Sequence, residues 1–238
     1  MTEIKRKKHG LAYEQKWFAR QATSRDALAL VAYFQFQGKL PPKPFIRQRF
    51  TTIVVDLNRN PEEIMADMQK NVRYKIRRAE NDALCWETGF DERQFVTFHQ
   101  AFAKEKGIGG IDLRRIRSFG SAIQLTRVIC GGQVLAQHAY LVDREEQRSR
   151  QLFSATGRFE NADSALIGRA NRWCHWRDML HFKELGITTF DLGGVAPQAG
   201  TGALDGINDF KMGFGGKLVQ EDHWLSPLYA LVGLLGVR

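Results

Sequence analysis

A lysine set between aromatic and glycine residues is the strongest candidate for chemistry in this chain. Phe210 and Lys211 directly precede the glycine-rich run Gly213–Gly216. A lysine ammonium placed where negative charge develops on an oxygen stabilises the transition state of acyl transfer. An aromatic neighbour such as Phe210 can stack on an adenine or simply pack. The local pattern therefore nominates Lys211, with its neighbour Phe210, as a cation that could stabilise negative charge developing on a substrate oxygen.

A second glycine pair follows a predicted strand at Ile187–Leu192. Gly193 and Gly194 would let backbone N–H groups approach a ligand, because no Cβ stands in the way. Asp191 and Asp209 flank the glycines and the lysine, and each is a candidate to accept a proton or to bind substrate. The alternative is a strand, a turn and a short helix closed by C-cap glycines, without a ligand.

A basic helix is predicted upstream, over residues 61–82. Asn60 supplies an N-cap and Pro61 suits the first helical position. At 100° per residue the apolar side chains fall on one side of this helix and most of the cations on the other. Residues 70–80 carry five cations and one acid, which is too unbalanced for pairing within the helix.

Two interpretations of this basic face stay open. It is either a solvated surface or a binding site for a polyanion. Arginine side chains suit phosphate because their guanidinium groups bind its oxygens in a bidentate manner. We therefore take Arg73, Arg77 and Arg78 as substrate-binding candidates, with Lys75 beside them.

Taken together, residues 71–82 (NVRYKIRRAEND) and residues 190–216 (FDLGG…GINDFKMGFGG) resemble the FemAB-like family of peptidyltransferases. Residues 123–136 resemble the central hairpin of that family, so the resemblance spans about residues 50–224. Members use a fold like that of the GNAT acyltransferases and attach amino acids from aminoacyl-tRNA to peptidoglycan precursors. Usual members carry two such domains, and this chain is too short for both.

The resemblance implies a mechanism and a set of partners. The matching Phe-Lys pair lies at the transfer site beside the aminoacyl end of the tRNA, so Lys211 would stabilise the transition-state charge. The family is thought to use substrate assistance in place of a dedicated base. Aminoacyl-tRNA would be the donor substrate, and a nucleotide- or lipid-linked glycan or muropeptide precursor would be the acceptor. No tightly bound cofactor and no metal is expected.

Two other functions stay open. One is an acyl-CoA-dependent GNAT enzyme that modifies an amino sugar or a small amine. The segment Ser154–Ser164 stands where such enzymes bind the coenzyme A pyrophosphate, but it carries one glycine and an acidic pair, which make a poor anion cradle. Acyl-CoA is therefore the weaker donor candidate. The other is a non-catalytic RNA-binding or scaffold protein.

Composition fits a globular α+β protein with an acidic partner. The chain has 238 residues, 43% of them apolar, a formal charge of +9 and a pI near 9.6. The three cysteines show no metal-ligand spacing, and buried free thiols are expected. Because no apolar segment follows the basic start and no run is long enough to span a bilayer, the sequence predicts a cytoplasmic protein.

The order of predicted elements indicates a GNAT-like α+β fold, with a mixed, mostly antiparallel sheet flanked by helices. Residues 1–44 are expected to form an N-terminal extension with one helix near 24–37, and residues 45–224 a single domain. Strands are predicted near 45–57, 84–88, 121–130, 133–143 and 148–155, and helices over 91–106 and 162–185, the latter capped by Asn161. Trp173 and Trp176 are expected in the core, and His138 is expected to be a hydrogen-bonded sheet residue.

The C-terminal tail, residues 225–238, is apolar and too short to span a bilayer. Packing in the core is the plainer interpretation. The alternative is peripheral docking at the inner membrane face, which would suit a lipid-linked acceptor beside a basic surface.

Overall fold

The structure is a computed structural model that describes residues 1–8, 10–39, 43–157, 163–195 and 202–234. Its contacts divide the chain into two compact units. Unit 1 comprises residues 1–52 and 218–238, and unit 2 comprises residues 53–217. The predicted division into an extension at 1–44, a domain at 45–224 and a tail at 225–238 stays a prediction.

The elements follow one another along the chain with short connections. The strands are β1 (Thr2–Lys8), β2 (Leu11–Trp17), β3 (Val31–Phe34), β4 (Ile46–Asp56), β5 (Cys85–Thr88), β6 (Ile123–Cys130), β7 (Gln133–Asp143), β8 (Arg148–Thr156), β9 (Thr189–Gly194) and β10 (Lys217–Leu225). The α-helices are α1 (Pro61–Asp67), α2 (Lys70–Ala79), α3 (Glu92–Lys106), α4 (Leu113–Arg117), α5 (Ser164–Glu184), α6 (Gly202–Met212) and α7 (Pro227–Leu234).

Unit 1 is built on strands in the order β1-β2-β3-β10. β1 and β2 are antiparallel, β2 and β3 are parallel, and β10 is antiparallel to β3. The prediction of a helix near residues 24–37 is wrong. Thr23 caps only a short 3₁₀ helix, Ser24–Leu28, because the aromatic and β-branched run Val31–Phe34 pairs with strands on both sides.

Unit 2 carries strands in the order β4-β9-β8-β7-β6-β5. The pairs from β5 to β8 are antiparallel, and β8 runs parallel to β9. Gly131 and Gly132 adopt positive φ values of 55° and 79°, as the predicted hairpin turn between β6 and β7 requires. The α+β class with a mixed, mostly antiparallel sheet is therefore confirmed.

Helices cover both faces of the antiparallel strands in unit 2. α2 and α5 belong to the larger apolar cluster, which includes Trp173 and Trp176 as predicted, and α3 and α4 belong to a second cluster with Leu125 and Ala139. The predicted cap Asn161 lies outside the described residues, and Asp163 caps α5. None of the described helices is long and apolar enough to cross a bilayer.

Two sequence expectations need correction. The helix predicted over 61–82 is broken between α1 and α2, because Met68 and Gln69 are extended and the Gln69 N–H donates to the Gly213 carbonyl at 2.9 Å. The expectation of buried thiols holds for Cys174 alone, since Cys85 is exposed on an edge strand and Cys130 is half-buried.

The glycine run after α6 is explained by close packing. A Cβ on Gly215 would lie 2.6 Å from the Asp67 carbonyl oxygen, and Gly215 has a φ of 76°. A Cβ on Gly216 would lie 2.5 Å from Ile53 Cγ2. Contacts this short do not occur in folded proteins, so these positions exclude larger residues for structural reasons.

We expect Gly215→Ala to destabilise unit 2 by about 2–4 kcal/mol, because it combines a backbone clash with a strained φ. Gly206→Ala is the matched control: it lies in α6 with open space around it, and alanine favours the helix by up to about 1 kcal/mol. Urea unfolding of both variants measures the two effects. Equal stability of the two variants would contradict the packing account of the glycine run.

Candidate functional site

Lys211 lies near the C-terminus of α6, and its ammonium group is held against the end of β9. Its Nζ donates to the Gly194 carbonyl at 2.6 Å. The pKa of Lys211 is lowered to about 8, chiefly by burial and in addition by the charge of Arg150, while Asp191 opposes the change. The lysine is therefore charged at neutral pH yet close to the point at which it can release a proton.

Asp191 is fully buried and organises the end of the parallel pair of β8 and β9. One of its oxygens accepts a hydrogen bond from Arg148 Nη2 at 2.5 Å, and the other accepts from the Gly193 N–H at 2.7 Å. Arg150 lies 3.9 Å from the second oxygen. The predicted acid Asp191 is thus bound on both oxygens to groups of the protein itself.

Gly193 allows the two cations to approach β9. It adopts a φ of 84°, and an added Cβ would lie 3.1 Å from both Arg150 Nη1 and the Gln151 carbonyl oxygen. Lys211 Nζ would lie 3.6 Å from the same Cβ. The Gly193 N–H, which the sequence nominated as a ligand donor, is occupied by Asp191, so the glycine serves the close approach of Arg150 and Lys211.

Phe210 is partly buried against the larger apolar cluster and carries a cation on one side. Its ring centroid lies 5.4 Å from that of His175 and 5.3 Å from that of Phe214. The guanidinium group of Arg172 lies 4.8 Å from the Phe210 centroid, which is a cation–π distance. The aromatic and the arginine therefore form one surface next to Lys211.

Arg172 is a half-buried cation for which the described residues show no acidic partner. Its Nη1 donates to the Gly168 carbonyl at 3.0 Å, and its Nε is buried without a hydrogen bond. Burial lowers the pKa of Arg172, and the charge of Arg172 in turn lowers the pKa of Lys75. We use the name cationic cluster for four residues of this region: Lys75, Arg150, Arg172 and Lys211.

Arg150 and Arg172 are not among the site residues predicted from the sequence. One signal for Arg172 was present, because it directly precedes Trp173, which the sequence places in the core. Arg150 gave a weaker signal, since it stands two residues after Arg148 and therefore on the same face of β8. Only the fold brings these arginines to the same place as Lys211.

The predicted phosphate-binding arginines have different surroundings. Arg73 donates to the carbonyl groups of Ala66 and Met68, so it caps the end of α1. Arg77 and Arg78 are exposed on α2, and Arg78 donates to the Tyr74 hydroxyl at 3.0 Å.

The last predicted substrate-binding residue, Asp209, has its side chain exposed. Its carbonyl accepts the Gly213 N–H at 2.9 Å. The Asp209 carboxylate is therefore available to solvent, in contrast to that of Asp191.

A buried polar network lies beneath the aromatic part of the site. Asp178 accepts from Trp86 Nε1 at 2.8 Å and from the Tyr140 hydroxyl at 2.7 Å, and it contacts His138 Nδ1 at 2.7 Å. The other ring nitrogen of His138 lies 2.9 Å from Asn171 Oδ1. His138 is therefore the hydrogen-bonded sheet residue that the sequence indicates.

Part of this network could in principle ligate a metal, because one ligand atom from each of His138, Cys174 and Asp178 lies within 4.8 Å of the others. Burial raises the pKa of the Cys174 thiol well above its usual value, and the charge of Asp178 adds to this. In the metal-free protein the Cys174 thiol therefore stays protonated at neutral pH. The expected absence of a metal stays a prediction.

His175 connects the buried network to Phe210. Burial lowers its pKa well below the usual value, and His138 adds to this, so His175 is neutral. Its Nδ1 then donates to the Asn171 carbonyl at 2.8 Å, and its Nε2 accepts from the Gln151 amide at 3.0 Å. The ring is fixed as packing support for the aromatic surface.

A cavity of about 150 Å³ elsewhere in unit 2 is a weaker candidate site. Arg59, Asp67 and Lys217 supply charged groups to its lining, whereas Lys211 and Arg172 do not line it. Arg59 and Asp67 form an ion pair with each other. Since these two charges are mutually satisfied, the cationic cluster is the stronger candidate for binding an anionic substrate.

No protein-family model and no curated protein matches this sequence. Solved structures do match its fold. FemX superposes with a TM-score of 0.64 at 14% identity, over 82% of this chain and 65% of the FemX chain. This protein therefore spans about two thirds of the length of FemX.

Two further solved structures are similar to this chain in fold. The C-terminal domain of a putative lysylphosphatidylglycerol synthetase from Agrobacterium fabrum superposes with a TM-score of 0.55 at 14% identity, over 89% of this chain and 74% of that one. L-PGS from Bacillus licheniformis superposes with a TM-score of 0.54 at 12% identity, over 87% of this chain and 73% of the L-PGS chain.

The chain has the FemX fold. The resemblance to FemAB-like proteins inferred from the sequence is thus confirmed in structure, together with the GNAT-like α+β arrangement. At these identities the superpositions show the fold alone.

The depressed pKa of Lys211 predicts how stability depends on pH. Between about pH 8 and 10.5 the unfolded chain binds the lysine proton and the folded protein does not, so the free energy of unfolding rises with pH through this window. Lys211→Met removes this dependence. We expect the stability of the wild type relative to Lys211→Met to increase by about 1–3 kcal/mol across the window.

Chemical denaturation of both proteins at pH 7.5 and 10.5 measures this difference. Lys104→Met, at an exposed lysine on α3, is the control and should show no such change. A constant difference between the Lys211 variant and the wild type would mean that Lys211 titrates as an ordinary solvated lysine.

Proposed function

We propose that this protein is an acyltransferase that moves an aminoacyl or acyl group from an activated ester to an amine, with Lys211 as its catalytic cation. The observation that carries the proposal is the placement of the Lys211 ammonium at the end of β9, with a pKa of about 8. The partly buried Arg150 lies beside it, and Arg172 lies over the Phe210 ring. Preorganised positive charge of this kind stabilises a developing oxyanion without reorganisation.

The reaction needs one bond to form and one to break. The acceptor amine attacks the ester carbonyl carbon, a C–N bond forms, and the carbonyl oxygen becomes an oxyanion that Lys211 stabilises. The C–O bond to the donor then breaks, and the proton lost by the amine passes to the leaving oxygen. Asp191 is bound to Arg148 and to the Gly193 N–H, so it positions the site rather than accepting this proton.

Aminoacyl-tRNA is the donor that the charge distribution favours. Phosphate groups bind arginine and lysine through charge and bidentate hydrogen bonds. Arg172 and Lys75 could hold a phosphate next to Phe210, and the exposed Arg77 and Arg78 extend positive charge along α2. The exposed carboxylate of Asp209 is placed to attract the cationic amine of an acceptor.

The acceptor that we propose is an amine of a cell-envelope precursor, such as a nucleotide- or lipid-linked glycan or muropeptide, handled in the cytoplasm at the inner membrane face. Support comes from the FemX fold and from the resemblance of residues 71–82 and 190–216 to the FemAB-like family. The name of one further neighbour refers to lysylphosphatidylglycerol, which is a lipid.

Lys211→Met should lower the transfer rate by about 10²–10³, because it removes one charge that stabilises the oxyanion. Lys211→Arg should retain part of the rate because it keeps the positive charge. The pH dependence of the rate then shows whether the charge at this position is what matters. In the wild type the rate should fall above about pH 8 as the ammonium is lost, whereas the arginine variant stays charged and should show no such fall. Steady-state kinetics from pH 6.5 to 9.5, with aminoacyl-tRNA and a muropeptide amine, test this.

Arg172→Met should raise the KM for the phosphate-bearing donor about tenfold with a smaller change in kcat, because a group that binds ground and transition states equally acts on KM. Arg114→Met, at an exposed arginine on α4, is the matched control. A wild-type KM in the Arg172 variant would remove this residue from the donor site.

The acyl-CoA alternative is decided by donor binding. Five of the eleven residues compared with the coenzyme A loop, residues 158–162, lie outside the described part of the chain, so only the sequence of this segment speaks against acyl-CoA. Calorimetry with tRNA and with acetyl-CoA at low and high salt distinguishes the donors. Tight acetyl-CoA binding without tRNA binding would favour the GNAT enzyme, and tRNA binding without transfer would favour an RNA-binding protein.

A further inference from the structure

One end of the unit 1 sheet collects several chain segments. β1 ends there and β2 begins there, because Lys7 pairs with Ala12. β3 runs parallel to β2, so it also begins at this end, and the antiparallel β10 finishes there. The 3₁₀ helix Ser24–Leu28 precedes β3, and α7 follows β10. Both short helices therefore lie at the same end.

Ser226 ties the two short helices together. Its side-chain Oγ donates to the Ala29 carbonyl at 2.6 Å and accepts the Tyr229 N–H at 3.2 Å. Leu28 stands immediately before Ala29, and Leu228 stands two residues after Ser226. The hydrogen bonds of this one buried serine thus fix the two leucine-bearing turns side by side.

Four large apolar side chains at this end are exposed to solvent. They are Leu28 at 81%, Leu231 at 55%, Leu228 at 45% and Leu11 at 43% exposure. We call these four residues the leucine end. On α7 the exposed leucines are three residues apart and share one face, while Tyr229 is buried and accepts a hydrogen bond from Gln15. The helix is thus anchored by one side, and none of the described residues covers the leucines on its other side.

Positive charge is concentrated in the same unit. Residues 1–52 and 218–238 hold twelve lysines and arginines and five acids, a formal charge of +7, out of +9 for the whole chain. Two of these cations, Lys7 and Arg25, are exposed and belong to β1 and the 3₁₀ helix, the segments that meet at the leucine end. An apolar tip bordered by cations complements a surface that is apolar inside and anionic outside.

We propose that the leucine end of unit 1 is a membrane-docking surface that inserts its leucines into the interface of an anionic lipid bilayer. Partial insertion of leucine removes apolar area from water, and Lys7 and Arg25 bind the lipid phosphates. Apolar insertion and charge are two separate contributions, which together produce reversible peripheral binding. The proposal does not depend on the acyl-transfer function, since it concerns a surface of unit 1.

Vesicle binding of the full chain tests the proposal. Wild-type protein is floated with vesicles of phosphatidylcholine alone and of phosphatidylcholine containing phosphatidylglycerol, and we expect binding to the second kind. The variant Leu28→Ser/Leu228→Ser/Leu231→Ser should bind the anionic vesicles at least about tenfold more weakly, because three insertions are lost. Ile108→Ser, at a 53% exposed residue of unit 2, is the matched control and should bind as the wild type does.

The charge contribution has its own pair of variants. Lys7→Glu/Arg25→Glu should weaken binding to anionic vesicles and reduce its dependence on salt, whereas Lys104→Glu/Lys106→Glu, which makes the same change of charge on exposed α3 residues, should have a much smaller effect. Circular dichroism and thermal melting confirm that each variant is folded.

Three results would overturn the proposal. The first is a wild-type protein that binds neither kind of vesicle. The second is a triple leucine variant that binds as well as the wild type, which would leave only non-specific charge. The third is a wild-type dimer in sedimentation that the triple leucine variant converts to a monomer, with no effect on vesicles, which would assign the leucine end to contact between two copies.

Discussion

The candidate site depends on a single buried carboxylate. Asp191 has no exposure to water, so its charge is tolerated only because Arg148 and the Gly193 N–H bind it directly. These contacts connect β8 to β9 and fix the left-handed turn at Gly193. The carbonyl of the next residue, Gly194, then accepts the hydrogen bond of Lys211. The position of the proposed catalytic ammonium therefore depends on the buried carboxylate of Asp191.

The same arrangement explains the unusual titration of Lys211. Asp191 favours the charged lysine, but its charge is already shared with Arg148 and Arg150, so the effects of burial and of Arg150 prevail. Arg172 adds a further cation near the aromatic surface. A partly buried cluster with more positive than negative charge is costly in the free protein, and an anionic substrate would relieve that cost. Substrate binding and the charge of the site are thus physically coupled.

Local pattern was sufficient to predict most of unit 2 from the sequence. The hairpin at Gly131 and Gly132, the three antiparallel strands β6 to β8, and the helices α3 and α5 follow from turn residues, alternation and capping. Unit 1 was not predictable in this way. The segment after Thr23 has helical composition, yet β3 forms because β2 and β10 provide partners from distant parts of the chain. Strand pairing between segments far apart in the sequence cannot be recognised from the residues of one short segment.

The residues of the candidate site likewise fall into those that local sequence predicts and those that only the fold reveals. Lys211 and Phe210 carry a local signature, and Asp191 follows a recognisable strand, so all three could be nominated from sequence. The roles of the surrounding residues could not be. Arg73 has the spacing of a phosphate ligand but binds the carbonyl groups that the break between α1 and α2 leaves free. Arg172 looks like one cation within a packed helix, and only the fold places it over Phe210. Residue type and spacing indicate what a side chain can bind, whereas the competing partners inside the protein decide whether it remains available for a substrate.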